Sequence, residues 1–205
     1  MLKIHGEKLT KRYGKKVLFR DLNLDISFGE SLCVWGPNGS GKSTLLKILA
    51  GLLEPNSGGV IYERQGEKLS PHKAKNLFGV AAPDVIPYDE LTPVENLAFL
   101  QRMRGACGDR RAALELLDTF GIRDAADAPV GAMSSGMKQR LRLAAAVLHD
   151  PEALLLDEPT SYLDTDGKRR VERFIRDKMP GRIVVIATNN PEERNWCGGI
   201  VELGG

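Results

Sequence analysis

Cys33-Val34-Trp35-Gly36-Pro37-Asn38-Gly39-Ser40-Gly41-Lys42-Ser43-Thr44-Leu45-Leu46 holds the spacing G-x-x-x-x-G-K-[ST] across residues 36–43, the spacing of a phosphate-binding loop. The flanks agree with the motif. Apolar residues 32–35 predict a short buried strand, and residues 45–49 predict the first turns of an amphipathic helix. Between them, glycines let successive backbone N–H groups curve around an anion without Cβ clashes. A helix starting near Lys42 adds its unpaired N–H groups and the positive end of its dipole. Lys42 is then placed to bridge the β- and γ-phosphates, and the Ser43 hydroxyl to ligate Mg2+. The competing reading, a glycine-rich strand-to-helix turn with a solvated lysine, leaves that order of strand, loop and helix unexplained.

Composition sets bounds on the rest. A chain of 205 residues with 42% hydrophobic and 27% charged residues has the balance of an ordinary soluble protein and length enough for a sizeable core. A net charge of +2 gives no electrostatic case for nucleic acid or an anionic membrane surface. Cys33, Cys107 and Cys197 are odd in number and share no metal-ligand spacing, so they read as free thiols in a reducing compartment. Residues 1–5 contain no apolar core of signal-peptide length, and no apolar run approaches a membrane span. Any membrane role is expected to run through docking on another chain.

Upstream of the loop, residues 2–9, 17–19 and 22–26 predict strands of a small antiparallel sheet, with turns at residues 13–16 and 28–30. Tyr13, placed in a turn, either stacks on a nucleotide base or covers the sheet edge. Downstream, residues 51–59 break the chain before a hairpin through residues 60–62, and residues 77–82 predict a second buried strand. Residues 93–104 and 110–120 carry apolar side chains at three- and four-residue spacing, with Pro93 suited to a helix start and Gly105 and Gly121 to helix stops. The helical block, residues 83–150, is expected to form a subdomain inserted into an α/β core of residues 1–82 and 151–205.

Two later stretches bear on chemistry. Met133-Ser134-Ser135-Gly136-Met137 precedes a helix over residues 141–148. It is either a plain N-cap or a second anion-binding helix terminus. Ala153-Leu154-Leu155-Leu156 is an unbroken apolar run, as a parallel strand covered on both faces requires, and it ends in Asp157-Glu158. Asp157 is placed to hold Mg2+, and Glu158 to polarise an attacking water; a surface acidic turn is the alternative. Residues 168–179 predict a helix, residues 182–187 a final buried strand ending in Thr188-Asn189-Asn190, and residues 200–203 an edge strand.

Taken in order, the loop at residues 36–44, the stretch at 133–137, the strand at 154–160 and Ser161-Tyr162-Leu163-Asp164 resemble Walker A, signature, Walker B and D-loop of the ATP-binding subunit of ABC transporters. The resemblance covers essentially the whole chain. It implies a P-loop NTPase fold of the ABC ATPase type: one domain, with a mixed sheet core, an N-terminal antiparallel β subdomain and an inserted α-helical subdomain. It implies ATP and Mg2+ as ligands. Tyr13 matches the residue stacking on adenine; Asn38, Gly39, Ser40, Gly41, Lys42, Ser43 and Thr44 match the phosphate cradle. Ser43 and Asp157 fall at Mg2+, and Glu158 at the catalytic base. Ser134, Ser135 and Gly136 are expected to act in trans, on ATP held between this chain and a second ATPase subunit, either an identical copy or a paralogue. Asp164 is expected to couple the two sites.

The resemblance also implies a separate transmembrane permease, which selects the substrate, and a cytoplasmic location on the inner face of the membrane. The compactness of the chain and Ala187-Thr188-Asn189-Asn190 are similar to those of the small haem-exporter-type subunits of cytochrome c maturation. Two positions depart from the family pattern. Pro83 stands where a glutamine is expected, with Asp84 beside it, and Asn189 stands where a histidine is expected to reach the γ-phosphate. Asparagine donates a hydrogen bond but is shorter than histidine and never cationic. A soluble, non-transport ABC ATPase acting as a mechanical or regulatory switch is the alternative within the family. A GTPase lacks its Asn-Lys-x-Asp here, and a kinase has no use for the signature.

Overall fold

In the computed structural model, residues 1–204 are described. The elements in chain order are β1 (Leu2–Tyr13), β2 (Lys16–Ser27), β3 (Ser31–Trp35), α1 (Lys42–Leu49), β4 (Ser57–Arg64), β5 (Glu67–Leu69), α2 (Pro71–Lys75), β6 (Phe78–Ala81), α3 (Pro93–Met103), α4 (Arg110–Thr119), α5 (Ser135–Val147), β7 (Ala153–Asp157), α6 (Thr165–Lys178), β8 (Ile183–Thr188), α7 (Pro191–Arg194) and β9 (Gly199–Glu202). They fall into two compact units. The first takes Met1–Phe78, Glu152–Glu158 and the chain from Lys178 onward, and the second takes Gly79–Pro151 and Pro159–Asp177.

The first unit contains an antiparallel sheet in the order β2-β1-β4-β5 and parallel strands in the order β7-β8-β3-β9. Every residue of β7 and β8 is buried, which is why these strands read as unbroken apolar runs rather than alternating ones. Helix α1 puts Leu45, Leu46, Ile48 and Leu49 into this core. The antiparallel sheet is more continuous than the sequence suggests. Residues 17–19 and 22–26 belong to one strand, β2, because Asp21 takes a left-handed conformation (φ 47°) at an irregularity in the β1–β2 register. Tyr13 is the last residue of β1, not part of the turn. It pairs across the ladder with Lys16, leaving Gly14 (φ 57°) and Lys15 to reverse the chain.

The second unit is mostly helical. Helix α3 opens on a complete capping box, Thr92 with Glu95. Asn96 is buried, accepts from the Tyr88 amide and donates to the Tyr88, Leu91 and Thr92 carbonyls, so one side chain satisfies the segment leading into α3. Gly79 is required by a close approach: a Cβ there meets the Ala146 carbonyl oxygen at 2.0 Å. Residues 159–177, which the sequence assigns to the α/β core, lie in this unit. Phe174 of α6 packs its ring on Phe120 (4.9 Å between centroids), and Arg140 pairs with Asp164. Among the described residues no helix is long and apolar enough to cross a membrane. All three cysteines are free thiols.

Candidate functional site

The phosphate loop sits between β3 and α1 in the first unit. Gly36 is packed so closely that a Cβ lies 2.3 Å from the Leu203 carbonyl oxygen and 2.7 Å from Ser40 Oγ. Gly41, the N-cap of α1, is left-handed (φ 106°), which a glycine adopts at little cost. The amides of a helix's first turn have no intrahelical acceptor, and among the described residues no side chain caps α1. Lys42 is 5% exposed. Its ammonium donates to the Gly36 carbonyl at 2.9 Å and the Pro37 carbonyl at 3.2 Å, and lies 3.6 Å from Glu158 Oε1. The loop lysine and the carboxylate beyond β7, 116 positions apart in sequence, are thus in contact.

Glu158 is held by its backbone amide, which donates to the Ala187 carbonyl of β8 at 2.8 Å, and its φ of 48° turns it out of the line of β7. A left-handed glutamate is uncommon and marks a position where structure imposes strain. Burial pushes its carboxyl above the ordinary value, the Lys42 ammonium pulls it down, and the negative charges of Glu193 and Asp157 push it further up. The preceding residue, Asp157, is 2% exposed. From the end of β8, Asn189 Nδ2 donates to Asn38 Oδ1 at 2.9 Å, joining residues 151 apart. The structure thus brings Asn38, Lys42, Glu158 and Asn189 to one loop, each linked to it by a contact.

Several observations bear on what fits there. Ser40 Oγ is buried and, among the described residues, has no hydrogen-bond partner. Around Gly39 a Cβ meets only Lys16 Nζ, at 3.7 Å. An unsatisfied hydroxyl, free helix amides and a lysine beside an open glycine suit the oxygens of a polyphosphate. The exposed Ser43 hydroxyl and the Asp157 carboxylate are hard oxygen donors, and so few protein ligands suit Mg2+, which keeps waters and substrate phosphates as its other ligands. Thr44 is half-buried in the first turn of α1. Tyr13 is 55% exposed; Lys11 Nζ lies 5.3 Å from its ring centroid.

In the second unit, α5 begins at Ser135, six residues earlier than the sequence predicts. Ser134 is its N-cap, accepting from the Met137 amide at 3.3 Å. Gly136 lies inside the helix, and it is a glycine because a Cβ there meets the Tyr162 carbonyl oxygen at 2.8 Å. Ser134 is therefore an N-cap, and with Ser135, Gly136, Met137, Arg140, Tyr162 and Asp164 it also lines an open cleft of about 520 Å3. Asp164 pairs with Arg140 at 2.6 Å and accepts from the Gly167 amide at 2.8 Å. Pro83 is exposed just beyond β6.

Two features of the loop carry no signal in the sequence. Lys16 donates to the Gly39 carbonyl at 3.0 Å, and Asn38 is partnered by Asn189. The first follows from the β1–β2 register and the second from the parallel order of β8 and β3, neither of which a single sequence displays.

The family model for ABC transporters matches residues 19–161, and the chain belongs to that family. It is 37% identical over 190 residues to the Bacillus subtilis protein described as the uncharacterised ABC transporter ATP-binding protein YdbJ, covering 91% of this chain and 61% of that one. It is 35% identical over 193 residues to the cytochrome c biogenesis ATP-binding export protein CcmA of Rhizobium meliloti, covering 93% of this chain and 92% of that one. The chain spans about three-fifths of the length of the first curated relatives it matches. Among solved structures, the ATP-binding cassette MJ0796, in a dimeric post-hydrolysis state bound to ADP and Pi, superposes with a TM-score of 0.86 at 26% identity, covering 98% of this chain and 94% of that one. The fold is that of an ABC ATPase nucleotide-binding domain, and membership of the family implies ATP binding.

Proposed function

We propose that this chain is the ATP-hydrolysing subunit of an ABC transporter. It pairs with a second ATPase subunit around ATP and works at the membrane through a separate permease. The observation that carries the reading is the contact of the Lys42 ammonium with Glu158, which puts a phosphate-binding cation and a desolvated carboxylate at one site.

The residues divide the work as follows. Tyr13 offers its open ring to the base. The loop amides, Asn38, Gly39, Ser40, Gly41 and Thr44 surround the phosphates, and Lys42 stays anchored on Gly36 and Pro37 while phosphate oxygens replace the Glu158 carboxylate as its third partner. That exchange frees Glu158 to orient and deprotonate a water. The phosphate oxygens also neutralise the Lys42 charge that lowers the pKa of Glu158, which makes the carboxylate a stronger base when substrate arrives. Ser43 and Asp157 would hold Mg2+, which supplies charge neutralisation at the phosphates. Asn189 and Asn38 set the loop facing the terminal phosphate. Ser134, Ser135 and Gly136 present their helix terminus to the nucleotide of the second subunit, with Asp164 beside them. The exposed Val85, Ile86 and Tyr88 offer apolar surface to the permease.

Lys42→Ala tests the reading. Removing a charge-assisted hydrogen bond costs about 1.5–3 kcal/mol, so ATP affinity by calorimetry should fall at least about tenfold, with hydrolysis abolished at the same ATP concentration. Unchanged affinity in a folded variant rejects the site.

A further inference from the structure

The β1–β2 hairpin brings a second lysine to the phosphate loop. Lys16 lies directly across the antiparallel ladder from Tyr13, so both side chains rise from the same face of the sheet. Its ammonium donates to the Gly39 carbonyl at 3.0 Å, which uses one of its three donors. The side chain is exposed, and among the described residues no carboxylate lies within ion-pair distance of it.

The two lysines hold different parts of the loop. Lys42 rests on the Gly36 and Pro37 carbonyls beside Glu158, and Lys16 rests on Gly39 beside the strand position of Tyr13. A nucleotide with its base at Tyr13 and its terminal phosphate at Lys42 and Glu158 passes Lys16 with its base-proximal phosphates. We propose that Lys16 is a phosphate-binding residue of this site, contacting the α- or β-phosphate shared by ADP and ATP. This rests on the nucleotide-site reading above. It makes the hairpin a two-point clamp, with ring and cation on one short rigid element. Ordering Tyr13 against a base and Lys16 against a phosphate then occurs in a single step.

The test compares Lys16→Gln and Lys16→Arg with wild type, using ATP and ADP by calorimetry at low and high salt. Glutamine offers an amide donor one bond shorter than the lysine and loses the charge. It should weaken ATP and ADP by the same factor, about 5- to 20-fold, with a shallower salt dependence because one screened attraction is gone. Arginine keeps the charge and should bind within about threefold of wild type. If glutamine binds both nucleotides like wild type, Lys16 only pins the hairpin and the proposal is wrong. A loss confined to ATP also overturns it, since the contact would then be with the γ-phosphate. A wild-type protein that binds neither nucleotide defeats the nucleotide-site reading itself, an outcome distinct from normal binding with no effect at Lys16.

Discussion

Glu158→Gln separates catalysis from stability at one residue, and the two effects should have opposite signs. The glutamine is nearly the same size and mimics the protonated carboxyl. A positioned general base contributes about 10²–10⁴ in rate, which at 1.36 kcal/mol per decade raises the barrier by about 2.7–5.4 kcal/mol. Hydrolysis should therefore fall at least about a hundredfold in a phosphate-release assay while ATP affinity is retained or raised, because the loop keeps its residues and Lys42 no longer gives up a carboxylate to the incoming phosphates. Stability should move the other way. Burial outweighs Lys42 and raises the folded-state pKa of Glu158 above its unfolded value. The folded state thus disfavours the ionised form. The resulting stability is fully present below the unfolded pKa and is lost as pH rises through the raised folded one. The neutral variant escapes that loss. Its melting temperature should exceed the wild-type value at pH 7.5, and the gap should close as pH falls below the ordinary glutamate range. A lower melting temperature at pH 7.5, or a gap independent of pH, would refute the claim that desolvation dominates at this carboxylate.

The same raised pKa should place the acid limb of the wild-type hydrolysis rate above the pH expected of an ordinary glutamate, and the limb should disappear in what activity remains of Glu158→Gln. Asn38→Ala and Asn189→Ala each remove one half of an exposed amide pair. A double-mutant cycle on ATP affinity and kcat should show a coupling of about 0.5–1.5 kcal/mol, and strict additivity would mean that the two act separately. Gly36→Ala drives a methyl onto the Leu203 carbonyl oxygen. An overpacking cost of about 1–3 kcal/mol, at about 2–4 °C per kcal/mol for a chain of this size, should appear as a lower melting temperature even without nucleotide.

The parts of this fold that were legible in sequence are those where local chemistry admits few answers. The loop needs glycine where a Cβ would lie 2.3 Å from a backbone carbonyl oxygen and where φ reaches 106°, so its letters announce its shape. The buried strands β7 and β8 show as apolar runs because both faces are covered. Thr92-Pro93 and Gly105 bracket α3 because caps and stops are set by backbone hydrogen-bonding needs. Local rules misread the chain where a long-range constraint overrode them. The helix after Met133-Ser134-Ser135-Gly136-Met137 starts six residues earlier than its apolar pattern indicates, with Gly136 inside it, and a glycine stands there because the Tyr162 carbonyl leaves no room for a side chain. Asp21 broke the alternation of β2 by adopting a left-handed bulge, so one strand looked like two.

The candidate site shows the same division between residue type and placement. Lys42, Asp157 and Glu158 announced themselves because phosphate and metal chemistry demands those groups at the ends of buried strands. Asn189 stands out in the sequence by what it lacks, the length and charge of a histidine. In the structure it acquires a positive role that no local pattern contains: its amide is already committed to Asn38, a residue of the loop itself. That changes what the departure means. A histidine at this position reaches farther toward a phosphate, but it gives up an amide partner matched to Asn38. A kcat raised by the longer donor therefore competes with a loop held less firmly. Asn189→His should then raise kcat only if the loop keeps its shape without the bond, and Asn38→Ala measures that condition independently. If Asn38→Ala leaves ATP affinity and kcat intact, the bond is dispensable and histidine should be the better catalyst. If Asn38→Ala impairs both, asparagine at position 189 is an adaptation to this loop rather than a weakened version of another residue.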